Sequence, residues 1–518
     1  MNRCRSRRPK GLAIPSPETI ARAEPTDSPI YPLVAEGVAE LIPSEYRSYE
    51  PAIAEALAYF LARLHPSAQQ TIQRSFRDLD SSVSATAALV TVMRHCPTLH
   101  KLGQVLARDR RLAPEVRAHL QELEAFDATL PVADLERLVR ESLGDAVAEY
   151  DIVPTPERAL EASVAYVVPA TWIRPGAGRR ERAMLKILKP GLKEQLRSEL
   201  DTLSGVAKLL DNRCEHYALA PIEFHETFEA VRALLEEESD FESELRNLEE
   251  AWAVYRANSN VQVPRPLPFS NERCLAMRFV PGVKITQSIE ELPRAQRRAL
   301  AVRLGKAMLC DALFSAKDTT IVHGDPHAGN LLRCSDGRIG ILDWSLVGRL
   351  ERSDREALLL VLVGAASLSS RKVRDGLALL GLRIEPGSAA SEVVSESLSM
   401  VVRGRRPGVG WLLGVFDALL KAGVVFPAQL AMLRKNLFTI KGVLADIDPG
   451  YSLEREFAKQ AAYWFAREWP RRVRRWPFAR DYALPIATTD IVEVYAKLPL
   501  TLARWIRKPG QSPAVDGR

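Results

Sequence analysis

The sequence predicts an α+β chain in which a helical N-terminal region leads into a small β-rich segment and then a long helical one. Three observations predict it. Apolar residues recur at helical spacing between about 31 and 144; β-favouring runs appear at Ser163–Val168 and Ala183–Leu188; and almost everything beyond Glu351 returns to helical spacing. At 518 residues the chain exceeds what one hydrophobic core usually organises, so two or three units are expected.

In the first region Ile53, Ala54, Leu57, Phe60, Leu61 and Leu64 mark one helix face, and Pro66, Pro97, Pro114 and Pro131 punctuate the segments. The two β-favouring runs flank the turn-rich Pro175–Gly178 and read as a hairpin. Residues 191–210 and 239–255 then read as helices, the second opening on Ser239-Asp-Phe-Glu242, a capping-box pattern. Leu275–Val280 is a further strand, closed by Pro281-Gly282, and 292–317 reads as one long amphipathic helix.

Composition is ordinary for a globular protein: 47% hydrophobic and 26% charged residues. Six scattered cysteines, with no C-x-x-C pair, argue for reduced thiols and against structural zinc. The basic opening residues run into Pro15 and Pro17 rather than an apolar core, so a secretory signal is not expected, and residues 1–30 read as a disordered basic tail. No stretch reaches the run of about 20 apolar residues that a spanning helix needs. The expected location is therefore cytoplasmic, or peripheral on the inner face of the membrane. The net charge is +6, and residues 451–518 carry 13 Lys/Arg against 7 Asp/Glu, an excess that equals the whole imbalance.

The chemistry concentrates in His323-Gly-Asp325-Pro-His-Ala-Gly-Asn330. Phosphoryl transfer needs a carboxylate that orients the acceptor and a metal-holding side chain on the same rigid loop. Asp325 and Asn330 have the Asp-to-Asn spacing of a kinase catalytic loop. Downstream, two apolar runs flank Asp336-Gly337, a residue pair favoured in tight hairpin turns, and that hairpin would return Asp343 beside the loop. At the end of an apolar strand an unpaired carboxylate is costly to bury, and a metal would relieve that cost. Lys186 lies within Met184-Leu-Lys-Ile-Leu188, and Glu244 on the following helix is its natural ion-pair partner. Asp343 leads within about ten residues into a helix around Arg355–Leu362, which leaves no room for a long activation segment and disfavours protein phosphorylation.

These features resemble the UbiB/AarF family of atypical protein-kinase-like proteins. Lys101-Leu-Gly-Gln104, followed by Leu112-Ala-Pro114, is similar to that family's Lys-x-Gly-Gln motif. Glu238-Ser-Asp240, then Glu244 and Asn247, is similar to its Glu-x-Asp signature and the helix after it. The loop His323–Asn330 matches closely, and the likeness runs from about 95 to 450. It implies a bilobal protein-kinase-like fold: a helical extension at 31–150, an N-lobe at 151–285, a mostly helical C-lobe at 286–450, and a basic aromatic segment at 451–518. It further implies ATP and Mg²⁺ as cofactors. Lys186 would contact the phosphates with Glu244 holding it, Asn330 and Asp343 would ligate Mg²⁺, and Asp325 would be the catalytic-loop acid. Ala162 and Ser163 would border the phosphates, and Met277 and Phe279 the adenine. Lys101 and Gln104 would face Glu238 and Asp240 as a lid over the nucleotide.

The sequence departs from that pattern in places. Glu161 stands in the loop expected over the phosphates, where its charge opposes ATP unless it turns away. Arg278 occupies the hinge, and Trp344-Ser345 follows the metal aspartate. The segment 461–480 interleaves aromatic residues with arginines, which suits an anionic membrane surface or packing on the body better than nucleic acid, while Pro470 and Pro477 weaken a continuous helix there. The expected function is an ATP-binding atypical kinase or Mg²⁺-dependent ATPase of the UbiB type, supporting ubiquinone or other isoprenoid-lipid metabolism. The alternatives are a nucleotide-binding pseudokinase scaffold and an aminoglycoside- or choline-kinase-like phosphotransferase.

Overall fold

The computed structural model describes residues 38–39, 42, 44–77, 85–106, 119–120, 126–128, 130–162, 164–176, 178–213, 216–217, 232 and 240–507. It falls into two compact units, Met1–Ala170 with Leu185–Ser239, and Thr171–Met184 with Asp240–Arg518. The stretch 151–285 is thus divided between them.

The first unit is mainly helical: α1 (Glu50–Ala62), α2 (Pro66–Arg77), α3 (Ala85–His95), α4 (Pro97–Leu106), α5 (Val132–Leu143) and, later in the chain, α6 (Leu192–Arg213). Phe60, Leu64, Leu89, Met93, Val206 and Leu210 share one core. The helical face expected on α1 holds except at Ile53, which is exposed, while the smaller Ala52 faces inward. Short strands join these helices. β1 (Phe126–Asp127) pairs antiparallel with β3 (Leu160–Glu161), β3 pairs with β4 (Ala165–Ile173), and β2 (Val153–Pro154) borders β4. The expected hairpin is formed by β4 and β5 (Arg180–Leu188), with its tip, 171–184, belonging to the second unit.

The second unit opens with α7 (Phe241–Tyr255). Its cap is Asp240, whose carboxylate accepts from the Ser243 amide at 3.0 Å, one residue later than the expected Ser239, which lies outside the described residues. β6 (Val261–Gln262), β7 (Cys274–Arg278) and β8 (Gly282–Lys284) follow. The long helix expected over 292–317 is α8 (Arg294–Gly305), continued by a π-turn at Lys306–Cys310 and a last turn at Asp311–Leu313. Beyond it, β9 (Thr319–His323), β10 (Leu331–Cys334), β11 (Ile339–Ile341) and β12 (Val347–Glu351) build two small sheets, ordered β6-β11-β10-β8 and β12-β9.

The remainder is helical, as expected: α9 (Arg352–Ala366), α10 (Ser370–Leu379), α11 (Ala389–Val402), α12 (Val409–Lys421), α13 (Ala428–Ile447), α14 (Leu453–Val473) and α15 (Thr488–Arg507). Contrary to expectation, α14 runs through Pro470. Pro470 lacks the N–H that would bond the carbonyl four residues earlier and its ring crowds that carbonyl, and the helix ends three residues later, before Pro477. Arg472 on this helix is buried, bonded to Glu468 and to the carbonyls of Leu484 and Ile486, with its guanidinium 3.8 Å from the Tyr482 ring centre. Part of the basic segment is therefore structural packing. Among the described residues no helix is long and apolar enough to cross a membrane.

Candidate functional site: a hairpin that joins the catalytic loop to a second aspartate

The loop after β9 is held by its own first residue. His323 is buried; its Nδ1 accepts from the Asp325 amide at 3.1 Å and its Nε2 lies 2.8 Å from the Leu342 carbonyl. Since a carbonyl only accepts, Nε2 carries the proton and the ring is neutral. Burial agrees, holding the imidazole pKa below its ordinary value. One side chain thus ties the loop bearing Asp325 to the strand end bearing Asp343. Its ring also meets the buried Trp344 edge-on, with centroids 4.9 Å apart. Trp344 keeps the aromatic expected after the metal aspartate and adds a hydrogen bond from Nε1 to the Ile341 carbonyl at 3.2 Å.

The β10–β11 hairpin forms as expected, with Leu331 opposite Ile341. Its turn is a three-residue loop, residues 335–337, between the ends of the two apolar runs. Cys334 pairs with Arg338, the Gly337 amide bonds the Cys334 carbonyl, and Gly337 has φ +83°, which glycine adopts without strain. That register brings the ends of the hairpin together: the Leu342 backbone amide donates to the Asn330 carbonyl at 2.8 Å. Asn330 and Asp343 are thereby neighbours in the fold, and the Asn330 side-chain amide donates through Nδ2 to the Asp325 carbonyl at 3.2 Å. Asp343 sits at φ +51°, a left-handed conformation unusual for a residue with a side chain. Its carboxylate accepts from the amide and hydroxyl of Ser345 at 3.2 and 2.7 Å.

One amide oxygen and one carboxylate are hard oxygen donors of the kind Mg²⁺ takes while keeping several waters. The pair therefore fits the expected metal. Bound there, the ion would neutralise charge on phosphate oxygens.

Asp325 has a cationic neighbour that no reading of the sequence singled out. Lys435 on α13 places its ammonium 3.2 Å from Asp325 Oδ1, and His327 Nε2 lies 3.8 Å from the same carboxylate. A second unforeseen link is Arg349 on β12, bonded to Glu250 at 2.6 Å and to Asn247 at 3.2 Å. It fastens α7, which carries the buried Glu244, to the strand that follows Asp343.

The other expected residues divide between the units. In the second, Met277 and Phe279 are half-buried around the end of β7. The Phe279 amide donates to the Arg182 carbonyl at 3.1 Å, and the Arg182 guanidinium stacks 3.7 Å over its ring. That amide is committed to the sheet, so adenine would have to use other groups. Arg278 points outward and pairs with Glu181 at 3.4 Å.

In the first unit, Lys186 is half-buried on β5, Lys101 and Gln104 lie on α4, and Ala162 follows β3. Ser163 and Glu238 lie outside the described residues. Glu161 does turn away: its buried carboxylate meets Lys189 at 2.8 Å. Nearby, the first turn of α4 rests on Glu199 of α6, which accepts from the Thr98 amide at 3.0 Å and hydroxyl at 2.7 Å.

Comparison with known proteins gives the kin of the chain. Residues 128–376 match the ABC1 atypical kinase-like domain. An uncharacterized chloroplastic aarF domain-containing protein kinase of Arabidopsis thaliana is 29% identical over 305 residues, 55% of this chain and 52% of that one. A "Probable protein kinase UbiB" of Xanthomonas campestris pv. campestris is 25% identical over 378 residues, 68% of this chain and 65% of that one. The chain thus spans about half to two thirds of the length of these relatives. Among solved structures, an Rv3197–erythromycin complex from Mycobacterium tuberculosis is similar at a TM-score of 0.46 and 20% identity, covering 62% of this chain and 80% of that chain. Residues 128–376 thus carry an ABC1 atypical kinase-like domain, and the chain is similar to proteins of the UbiB/AarF family.

Proposed function

We propose that this protein binds Mg²⁺–ATP and transfers the terminal phosphoryl group to water or to a small, lipid-like acceptor in ubiquinone or other isoprenoid-lipid metabolism, rather than to a protein. The observation that carries the reading is the apposition of Asn330 and Asp343 by the hairpin, with Asp325 held on the same loop by His323. In this reading Asn330 and Asp343 hold the ion, Asp325 orients the acceptor, and Lys186, with Glu244 as its partner, contacts the phosphates; Ala162 and Ser163 border them. Met277 and Phe279 flank the adenine, while Lys101 and Gln104, with Glu238 and Asp240, cover the site. The exclusion of protein acceptors is supported by the short span 344–351 between Asp343 and α9, most of which is β12 paired to β9. The exposed Trp469, Trp476 and Phe478 support contact of 461–480 with an anionic membrane surface.

The test is MgATP turnover by the purified chain and by Asp343→Asn, alongside thermal-shift measurements with MgATP, MgADP and no nucleotide. Turnover that survives Asp343→Asn unchanged would sink the enzymatic reading. A second reading, nucleotide binding without turnover, is favoured by the Lys435–Asp325 ion pair, which holds the expected acid against a cation. A nucleotide-induced thermal shift without any turnover would support it.

A further inference from the structure

The second unit carries a groove of about 620 Å³, half open to solvent, bounded by α9, α14, α15 and the loop before α12, with Ala458 and Ala462 exposed in its wall. On α14, Ala458, Ala461 and Ala462 fall on one helix face and line the groove together with Leu362 and Val363 of α9. Larger side chains at those alanines would fill the groove. The volume lies within the range of about 300–1,000 Å³ typical of small-molecule sites, and the lining is predominantly aliphatic and aromatic.

Polar side chains in the lining are few: Arg406, Glu454, Arg455 and Tyr495. Arg406, from the loop before α12, and Arg455, from the first turn of α14, border the groove and are both exposed. Neither guanidinium forms an ion pair with a carboxylate among the described residues. The one acid in the lining, Glu454, is engaged with the Gly410 amide at 3.1 Å and the Ser452 hydroxyl at 3.2 Å. An apolar groove bordered by two uncompensated cations is complementary to a molecule with an apolar chain and an anionic head.

We propose that this groove binds a free single-chain anionic amphiphile, an alkyl phosphate or carboxylate. Its chain lies along Ala458, Ala461 and Phe465, and its head is met by Arg406 and Arg455. The site is separate from the residues assigned to nucleotide, and the proposal stands whether or not the protein turns over ATP.

The full-length protein would be titrated with cis-parinaric acid, whose fluorescence rises in an apolar site, and the probe then displaced with dodecyl phosphate, dodecanol or inorganic phosphate. Saturable binding is expected, with dodecyl phosphate displacing the probe, dodecanol about tenfold weaker, and inorganic phosphate inactive. Ala461→Trp should fill the groove and abolish binding. The surface double variant Arg406→Ala/Arg455→Ala should weaken dodecyl phosphate about tenfold and leave dodecanol unchanged. Because that variant alters only exposed side chains, it keeps the test valid if Ala461→Trp fails to fold. Absence of saturable binding, or equal affinity of the double variant and wild type for dodecyl phosphate, would overturn the proposal. So would sedimentation of the wild type, but not Ala461→Trp, on phosphatidylglycerol vesicles without any binding of monomeric dodecyl phosphate, since the occupant would then be a bilayer lipid.

Discussion

Replacing Glu199 by alanine should loosen the helix that carries Lys101 and Gln104. Glu199 is 2% exposed and satisfies three donors: the Thr98 amide at 3.0 Å, the Thr98 hydroxyl at 2.7 Å and the Gln195 amide group at 2.9 Å. The two Thr98 donors lie in the first turn of α4, where the helix has no acceptors of its own. Alanine would leave them buried without partners, at about 1–3 kcal/mol each, whereas the half-buried Gln195 still reaches the His95 carbonyl at 2.8 Å. The expected loss is about 2–4 kcal/mol by chemical denaturation, with faster hydrogen exchange across 97–106. Glu199→Gln keeps an acceptor for Thr98 and should cost about 1 kcal/mol or less at neutral pH. Burial raises the Glu199 pKa above the ordinary 4.5, against the lowering effect of the Thr98 and Gln195 hydrogen bonds. Between 4.5 and that raised value the folded protein keeps a proton that the unfolded chain releases, so wild-type stability falls as pH rises through this window. The difference between wild type and Glu199→Gln should show that slope and then level off. Equal stability of Glu199→Ala and wild type, or equal damage from alanine and glutamine, would refute the reasoning.

Further outcomes follow from the second unit. Gly324→Ala would place a Cβ 2.6 Å from the Leu346 carbonyl oxygen, so it should lower the melting temperature and abolish turnover together. Arg349→Ala removes both links from β12 to α7; being partly exposed, the pair with Glu250 is worth about 1 kcal/mol or less, so turnover should fall more than stability. Lys435→Met should change stability by about 1 kcal/mol at most, because the lysine is half exposed, and should lower MgATP turnover about tenfold. A rise in turnover would show that the lysine restrains Asp325 instead.

Much of this site was legible because its geometry is local. Asp325, Asn330, the turn at Gly337 and Asp343 are close in sequence, so spacing and turn chemistry alone bring Asn330 beside Asp343. Lys435 and Arg349 were not legible, since each meets its partner through packing of elements far apart in the chain, and a lysine or arginine on an amphipathic element looks like any solvated cation. Ser239 was read as the cap of α7 because its spacing to Glu242 satisfied the capping-box pattern, yet Asp240, one residue on, makes the bond. The hairpin was legible because its apolar runs end at Cys334 and resume at Arg338, where the strands close, and Asp336-Gly337 is a pair favoured in such turns. Pro470 appeared to break α14 because the pattern could not show that it falls in the final turn.

The Glu161–Lys189 contact changes how the departure from the family pattern should be understood. A lone anion beside a phosphate-binding loop repels at long range, whereas an anion matched by a cation at 2.8 Å acts as a dipole whose field fades within a few ångströms. Positions 161 and 189 therefore form one electrostatic unit: losing both charges leaves the surroundings nearly as they were, while losing the lysine alone leaves a buried carboxylate uncompensated.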